Sequence, residues 1–330
     1  MGSVAKLAFL GDVMLGRLMN EAAEANGPRY FWGDTLEVLE KADLRLINLE
    51  CVISDRGEPW KPEEKVFHFR ALPWAIESLR AANIDYVSLA NNHSLDFGRE
   101  AMLDMLERLD KAGIRHAGAG KNAEKAGEPA MLDAGGLKIG VISASDNEPG
   151  WAAKADAAGI NFLPTLTRPE VLEKISMAQK DARARGADLV VFSDHWGPNM
   201  KQRPDSLYVS FAHNAMDMGI DIFHGHSAHV FQGIELWGKK PILFDTGDFV
   251  DDYAVDPFLR NDWSFIFLVH LDKKSKKTRK LELVPVHISQ CQVNLAQDFL
   301  AGEICGKMEM LCREMGTKTR REGRNLVIGL

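Results

Sequence analysis

Short apolar runs alternate along most of this chain with longer segments in which apolar residues recur at helical spacing. Near-continuous apolar runs are typical of strands that are covered on both faces of a sheet. The predicted strands are 4–10, 45–48, 86–90, 138–144, 189–193, 220–223 and 242–244. The predicted helices are 73–82, 99–112, 168–185 and 205–218. This alternation predicts a layered α/β fold.

The end of the chain follows a different pattern. Residues 264–271 and 281–288 alternate apolar and polar positions around the basic run 273–280, as the two strands of a hairpin do. A helical pattern then extends over about 297–313. We therefore expect an antiparallel hairpin and a helix after the alternating α/β region.

The sequence contains no internal repeat, low-complexity tract or linker-like segment that would divide it. A length of 330 residues is within the range of one large α/β domain with insertions. We predict one domain over 1–330. Its core at about 5–250 carries the chemistry, and about 260–330 forms the C-terminal hairpin and helix.

Composition and charge narrow the possible functions. A net charge of −7 leaves no broad basic field for phosphate backbones, so we expect no nucleic-acid partner. No segment approaches the ~20 apolar residues of a membrane span, so we expect none. The four cysteines lack metal-site or disulfide-framework spacing, and the first residues run into a strand without a secretory signal. These features predict a cytoplasmic protein.

Most of the predicted strands are followed at once by residues whose side chains can bind a metal. Three histidines fall within residues 224–229, where a strand runs into a glycine-containing loop. The carboxyl ends of parallel strands meet at one edge of a sheet, which would bring such side chains together. For the histidines alone, the alternative is a polar surface loop. The predicted metal ligands are Asp12, Glu50, Asn92, His195, His226 and His229.

This ligand set predicts the kind of centre. One carboxylate that bridges two ions, with imidazoles and an amide completing each shell, is typical of a two-metal site that activates water. Mixed oxygen and nitrogen ligands favour divalent transition metals, so we expect two ions drawn from Mn, Zn, Fe and Ni.

Six short motifs resemble those of the CapA family of bacterial capsule and poly-γ-glutamate synthesis proteins, and they follow the family's order along the chain. The most specific are the Asn-Asn-His-x-x-Asp-x-Gly motif at 91–98 and the His-Trp-Gly motif at 195–197. The other motifs lie at 11–17, 48–50, 67–73 and 225–232. The family is similar to the calcineurin-like metallophosphoesterases. This implies a layered α/β/β/α fold with a metal site at the C-terminal ends of the strands.

The resemblance also implies roles for individual residues. Asn92 would bind a metal, while the neighbouring His93 would protonate a leaving group or stabilise the transition state. Asp96 would orient His93, as an acid commonly orients a catalytic imidazole. The alternative for His93 is a structural histidine bonded to Asp96. The residues that match the later imidazole ligands of the family are His195, His226 and His229.

Two positions depart from the phosphoesterase pattern. Asp12 matches the aspartate of the first motif, but Met14 stands where that motif has a histidine. Glu50 stands where the bridging aspartate is usual, and its side chain is longer by one methylene. One metal position would therefore lack a nitrogen ligand, and would bind its ion more weakly, take a harder ion or stand empty.

Further residues near the motifs are candidates for supporting roles. Three arginines are candidates for binding an anionic substrate, because a guanidinium holds a carboxylate or phosphate through two hydrogen bonds. These are Arg17, Arg70 and Arg203. The alternative for each is a surface ion pair. His224 is expected behind the ligands, in a supporting or packing role. Asp245 and Asp248 are expected to bind water at the metal or hold His226, or else to form a turn.

The predicted function is that of a metal-dependent hydrolase that cleaves phosphoester or γ-glutamyl amide bonds in a small anionic or peptide-like substrate. The same metal and base could instead support an epimerase or isomerase. Because Met14 stands where one metal ligand is expected, a further alternative is a non-catalytic assembly factor of an exopolymer machine. The pathway and the oligomeric state stay open.

Overall fold

The computed structural model of this protein describes residues 3–62, 65–165 and 167–330. Its strands are β1 (Val4–Val13), β2 (Leu44–Leu49), β3 (Val52–Ile53), β4 (Arg70–Ala71), β5 (Tyr86–Ser88), β6 (Arg115–Ala117), β7 (Ala119–Gly120), β8 (Ala130–Ala134), β9 (Leu137–Ser145), β10 (Gly159–Ile160), β11 (Leu189–His195), β12 (Ile222–His226), β13 (Ile234–Trp237), β14 (Lys240–Leu243), β15 (Asp248–Val250), β16 (Trp263–Asp272), β17 (Lys277–Ser289), β18 (Gln292–Leu295), β19 (Arg320–Glu322) and β20 (Asn325–Gly329). Its helices are α1 (Leu18–Asn26), α2 (Leu36–Leu39), α3 (Ala75–Ala81), α4 (Gly98–Ala112), α5 (Ala123–Gly127), α6 (Pro169–Ala184), α7 (Ser206–Asp217) and α8 (Asp298–Glu314). Two short 3-10 helices cover Tyr30–Thr35 and Pro149–Trp151.

The larger sheet has ten strands. Its main path runs β19-β20-β17-β16-β1-β2-β5-β6, with β15 paired to β1 and β18 paired to β17. The strands β1, β2, β5 and β6 are parallel, whereas β16 joins β1 from the antiparallel direction. As a result β1 is a central strand, and its C-terminal end is bordered by β2 and β15.

The smaller sheet has six strands in the order β13-β14-β12-β11-β9-β8. Its inner strands β9, β11, β12 and β14 are parallel. All six strands come from the stretch of chain between β6 and β15. The chain therefore leaves the larger sheet to build the smaller one and then returns.

Three apolar clusters hold these elements together. One contains residues of both sheets, such as Phe9 of β1, Val141 of β9 and Phe267 of β16, together with Met308 of α8. A second joins the larger sheet to α1, α2, α3 and α4. The third joins the smaller sheet to α6 and α7. Burial of these apolar strand faces drives their association.

The α/β class predicted from the alternating pattern is confirmed, since the protein is a mixed α/β structure with several sheets. All the predicted strands and helices are present, as are the hairpin of β16 and β17 and the tail helix α8. Several short elements were not predicted; they are the helices α1, α2 and α5 and the strands β3, β4, β6, β7, β8, β10, β13, β15, β18, β19 and β20. Strand β19 consists of exposed charged residues, so it has no apolar pattern to detect.

The predicted C-terminal ends of two strands were wrong. Strand β11 continues beyond 193 to His195, and β12 continues beyond 223 to His226. The histidine-rich segment is therefore largely strand, and only His229 lies in the loop that follows. Among the described helices, none combines the length and the apolar character needed to cross a membrane.

Candidate metal centre

The predicted metal ligands lie where strand ends from both sheets adjoin. In the larger sheet, Asp12 of β1 is opposite Asp248 of β15, and Glu50 directly follows β2. In the smaller sheet, His195 and His226 are opposite each other at the ends of β11 and β12. All five side chains are buried. The fold thus gathers carboxylates from one sheet and imidazoles from the other.

Asn48 connects the two sheets at this point. Its Nδ2 donates to Asp12 Oδ1 at 2.7 Å and lies 3.2 Å from His195 Nδ1. Asn91 donates in turn to Asn48 Oδ1 at 3.0 Å. Asn48 was not among the predicted site residues, although it begins the Asn-Leu-Glu motif that ends at Glu50. Its position in that motif was the only available signal.

A glycine sets the distance between β1 and the segment before β15. The backbone N–H of Asp12 donates to the Gly247 carbonyl at 2.9 Å. A Cβ atom at Gly11 would lie only 1.8 Å from the same carbonyl oxygen. No other residue type fits at position 11 without moving one of the two backbones. Gly11 therefore allows Asp12 and Asp248 to lie side by side.

The ligand side chains form two groups that share one carboxylate. The first contains Asp12, His195 and His226, and the second contains Asp12, Glu50, His229 and Asp248. Within each group, one ligand atom from each residue lies within 4.8 Å of all the others. The groups are also close to each other, because Glu50 Oε1 is 3.8 Å from Nε2 of both His195 and His229. This geometry fits two neighbouring divalent ions.

Several atoms of these groups, and one of the predicted ligand Asn92, are buried and have no hydrogen-bond partner within the described residues. They are Asp12 Oδ2, Glu50 Oε1, Asn92 Oδ1, His195 Nε2 and Asp248 Oδ2. Native proteins pair nearly all buried polar atoms, because an unpaired one costs about 1–3 kcal/mol. Oxygen and imidazole nitrogen atoms left free in this way suit divalent metal ions. The residues present therefore fit the metal centre that the sequence predicts.

Burial determines the protonation of the acidic ligands. It raises the pKa of Asp12, Glu50 and Asp248 well above the usual range, because a carboxylate loses its hydration there. For Asp12 and Glu50, the nearby His229 opposes this rise in pKa. A bound cation would stabilise all three carboxylates in the charged form.

Burial has the opposite effect on the imidazoles of the smaller sheet. It lowers the pKa of His195 and His226 well below the usual range, so both are neutral, the form in which imidazole binds a metal. Burial also disfavours protonation of His229, but Glu50 and Asp12 outweigh it and raise the pKa of His229. His229 lies in the left-handed backbone region, with φ of 60°. A non-glycine residue adopts that conformation at an energetic cost, and such residues cluster at functional sites.

His93 and Asp96 form a buried pair beside the centre. His93 Nδ1 lies 2.6 Å from Asp96 Oδ2, which also accepts a hydrogen bond from the backbone N–H of Phe69 at 2.6 Å. The Phe69 ring stacks on the His93 ring with centroids 3.9 Å apart. Burial lowers the pKa of His93 well below its usual range and raises the pKa of Asp96 to about 7. The imidazole is thus fixed by a carboxylate on one edge and by an aromatic ring on one face.

Two further residues near the centre were not predicted. Lys65 Nζ donates to the Asn92 carbonyl at 2.5 Å and to Glu148 Oε1 at 3.0 Å, and it lies 3.5 Å from Asp96 Oδ1. Tyr253 donates its hydroxyl to Glu50 Oε2 at 2.9 Å. Neither residue belongs to a ligand-rich motif, so only the folded structure reveals these contacts.

The three residues predicted to support the ligands, His224, Asp245 and Asp248, make different contacts. His224 Nε2 lies 3.0 Å from the Leu10 carbonyl, and burial lowers the pKa of His224 to about 4. Asp245 accepts hydrogen bonds from the backbone N–H groups of Ala228 and Gly247, both at 2.8 Å, so it stabilises the loops. For Asp248, holding His226 was one of the predicted alternatives. Instead it contacts His229, whose Nδ1 lies 2.8 Å from Asp248 Oδ1.

The three candidate arginines differ in their surroundings. Arg17 lies 5.7–6.0 Å from the ring centroids of Phe67, Phe69 and Tyr253. Arg70 donates to the carbonyls of Arg56 and Gly57, so its guanidinium holds a loop.

Arg17 has one longer ionic contact, 3.5 Å from its Nε to Asp252 Oδ1, whereas two carboxylate oxygens of a single partner bind the guanidinium of Arg203. It contacts the two carboxylate oxygens of Glu314 at 2.6 and 2.8 Å. This is the surface ion pair named above as its alternative. Of the three arginines, Arg17 alone adjoins rings that contact the centre, through Phe69 against His93 and Tyr253 against His229.

Comparison with known proteins gives a consistent set of relatives. A family model described as bacterial capsule synthesis protein PGA_cap matches residues 6–253. A probable polyglutamine synthesis accessory protein of Mycobacterium tuberculosis is 31% identical over 309 residues, which cover 91% of this chain and 80% of that protein. The capsule biosynthesis protein CapA of Bacillus anthracis is 26% identical over 86% of this chain and 67% of its own. The PGA biosynthesis protein CapA of Bacillus subtilis is 28% identical over 87% of this chain and 72% of its own.

Proposed function

This chain belongs to the bacterial capsule synthesis protein family PGA_cap, and from that membership we propose that it is a metal-dependent hydrolase with a two-ion centre. One observation carries the proposal. Two groups of buried ligand side chains share Asp12, and several of their atoms have no hydrogen-bond partner in the described parts of the chain. The proposed ions are divalent and are drawn from Mn, Zn, Fe and Ni.

The ligand residues would hold the ions between the two sheets. When bound, such ions supply a nucleophile from water at neutral pH and stabilise the charge that develops on the reacting group. Asp12 would contact both ions, and Asn92 would add an amide oxygen. Asn48 and Tyr253 would orient the carboxylates of Asp12 and Glu50 through the hydrogen bonds that they donate.

His93 is the proposed proton donor. Its Nδ1 is held by Asp96 and burial keeps the resting imidazole neutral, so Nε2 would first take up a proton released by the attacking water and then pass it to the leaving atom. Stacking on Phe69 keeps the imidazole plane fixed while this proton moves. Asp96 is a positioning residue, since it contacts His93 and the Phe69 backbone.

The substrate is proposed to be a small anionic or peptide-like molecule with a phosphoester or γ-glutamyl amide bond. The names of the relatives, which refer to capsule, PGA and polyglutamine synthesis, support the amide class. We propose Arg17 as the residue that binds an anionic group of the substrate. Arg70 and Arg203 are less suited, since the one holds a loop and the other pairs with Glu314.

The phosphoester class is supported by the proposed layering of the fold. We propose a metallophosphoesterase-like α/β/β/α order, in which the cluster that draws on both sheets is the central layer boundary. The clusters that join each sheet to its own helices would form the two outer boundaries.

The test is elemental analysis of the purified protein, followed by a screen of phosphomonoesters, phosphodiesters and γ-glutamyl peptides with and without added metal. We expect two equivalents of divalent metal and turnover of one substrate class. Asp12→Asn should lose both. The matched control is Asp194→Asn, because Asp194 is equally buried but belongs to neither ligand group. A wild-type protein without metal would contradict the proposal.

A second candidate function follows from the name of one relative. The Mycobacterium tuberculosis relative is called an accessory protein, which favours a non-catalytic part in polymer assembly. Stoichiometric metal without turnover of any of the three substrate classes would favour this role. Incorporation of solvent deuterium into an uncleaved peptide would instead indicate an epimerase.

A further inference from the structure

The two ligand groups that share Asp12 differ in their donor atoms. The group with His195 and His226 offers two imidazoles and one carboxylate. The group with Glu50, His229 and Asp248 offers three carboxylates, counting Asp12, and a single imidazole. We name these the imidazole position and the carboxylate position. Imidazole suits borderline ions such as Zn²⁺, whereas carboxylate oxygen suits hard ions such as Mn²⁺.

We propose that the centre is chemically unequal: the imidazole position takes a Zn²⁺-like ion and the carboxylate position takes a hard, Mn²⁺-like ion, with Asp248 as its fourth ligand. The inference rests on the proposed metal centre and deepens it. It does not depend on which bond, if any, the protein cleaves.

The three carboxylates of the carboxylate position share one arrangement. Each has one oxygen held by a protein donor: Asp12 Oδ1 by Asn48 at 2.7 Å, Glu50 Oε2 by Tyr253 at 2.9 Å, and Asp248 Oδ1 by His229 at 2.8 Å. The second oxygen of each is buried and has no hydrogen-bond partner among the residues described. Three carboxylates that each keep one oxygen free beside one another form a site for a hard cation.

Asp248 would supply the ligand that Met14 cannot supply. Met14 is fully buried in the apolar cluster below the larger sheet, and its sulfur accepts a hydrogen bond from Gly16 N at 3.0 Å. It therefore provides no nitrogen where the phosphoesterase pattern has an imidazole. Asp248 approaches Asp12 from β15, the parallel neighbour of β1. The missing imidazole is thus replaced by a carboxylate, which makes this position harder.

The test is a displacement titration of the full chain. The protein is stripped with a chelator, loaded with two equivalents of Mn²⁺, and titrated with Zn²⁺ while electron paramagnetic resonance measures released Mn²⁺. Zn²⁺ generally binds more tightly than Mn²⁺, but its advantage is smallest at oxygen ligands. We expect release in two phases separated by at least about tenfold in free Zn²⁺, since only one position is rich in imidazole. Release in a single phase would overturn the inference.

Two variants assign the phases. Asp248→Asn should lose the Mn²⁺ that resists Zn²⁺ and keep the one that is displaced early. Asp194→Asn, the matched control, should keep both phases. An Asp248→Asn protein that still shows the late phase would overturn the role of Asp248.

The outcomes separate this inference from the proposed function. Two phases without turnover of any substrate would support the unequal centre and contradict hydrolysis. Turnover of a substrate together with release of Mn²⁺ in a single phase would support hydrolysis and contradict the unequal centre. A chain that binds neither Mn²⁺ nor Zn²⁺ would overturn both.

Discussion

At the scale of single residues, His93 separates metal binding from catalysis. It is held by Asp96 and Phe69 and belongs to neither ligand group. We expect His93→Ala to lower turnover by roughly 10²–10⁴-fold, the usual contribution of a positioned acid, and to retain the metal. Elemental analysis and kcat of the same preparation measure the two effects. His116→Ala is the control, since His116 pairs with Asp110. Loss of metal in His93→Ala would make His93 a ligand instead.

Tyr253 gives a second prediction at this scale. Its hydroxyl is the donor that holds Glu50 Oε2, so Tyr253→Phe should leave Glu50 less well oriented. Removing such a supporting partner typically weakens metal binding about 10–100-fold. Mn²⁺ titration should show this loss for one of two equivalents. Tyr30→Phe removes a hydroxyl that donates to the Gln290 carbonyl, and this variant should bind both ions normally. Equal affinities in the two variants would contradict the role of Tyr253.

At the scale of elements, the ends of β11 and β12 show why part of the site was placed in a loop. A glycine between two histidines was interpreted as the start of a loop, yet Gly225 lies inside β12. A Cβ there would lie 2.0 Å from the Phe244 carbonyl oxygen and 2.6 Å from Trp196 Nε1. Glycine is present because neighbouring elements come close, and the sequence alone does not show which neighbours those are.

The hairpin of β16 and β17 gives a pH prediction. A hydrogen bond from His270 is the main cause that lowers the pKa of Glu282 from its ordinary 4.5 to about 2, with Asn325 and Lys280 contributing. A depressed pKa means that the stabilisation is complete above about pH 4.5 and declines as the pH falls towards 2. Because Glu282 is partly exposed, its ionised form contributes less than about 1 kcal/mol to the free energy of unfolding.

The expected result is that Glu282→Gln melts below wild type at pH 7 and that the difference in Tm shrinks by pH 3. Thermal unfolding followed by circular dichroism measures it. Glu24→Gln, at an exposed position of α1, should match wild type at both values. A Tm difference that grows as the pH falls would contradict the assignment.

At the scale of the whole molecule, the metal centre should contribute to stability because its ligands come from both sheets. An ion that binds only the folded state at 100 times its Kd adds about 2.7 kcal/mol. We expect a chelator to lower Tm by several degrees, and added Mn²⁺ or Zn²⁺ to restore it. In Asp12→Asn, the same treatments should change Tm little. A wild-type Tm that ignores both chelator and metal would contradict a centre that bridges the sheets.

The sequence predicted the α/β class and the strands that carry the ligands, because buried strands are apolar and their ends are polar. It also indicated the family, which the comparisons confirm. It did not predict Asn48, Lys65 and Tyr253 at the site, or Asp248 beside His229. Their roles depend on which elements become neighbours, such as β1 with β15, and that pairing leaves no local pattern in the chain.

The pairing of β1 with β16 has a consequence for the timing of folding. β1 is an early strand, but its antiparallel neighbour reaches Asp272, opposite Val4. A ribosome adds roughly 5–20 residues per second, so β1 waits on the order of 10–50 s before its sheet can close around it. Until β15 has been synthesised, Asp12 also lacks its partner Asp248. The proposed metal centre would therefore be completed only late in the synthesis of the chain.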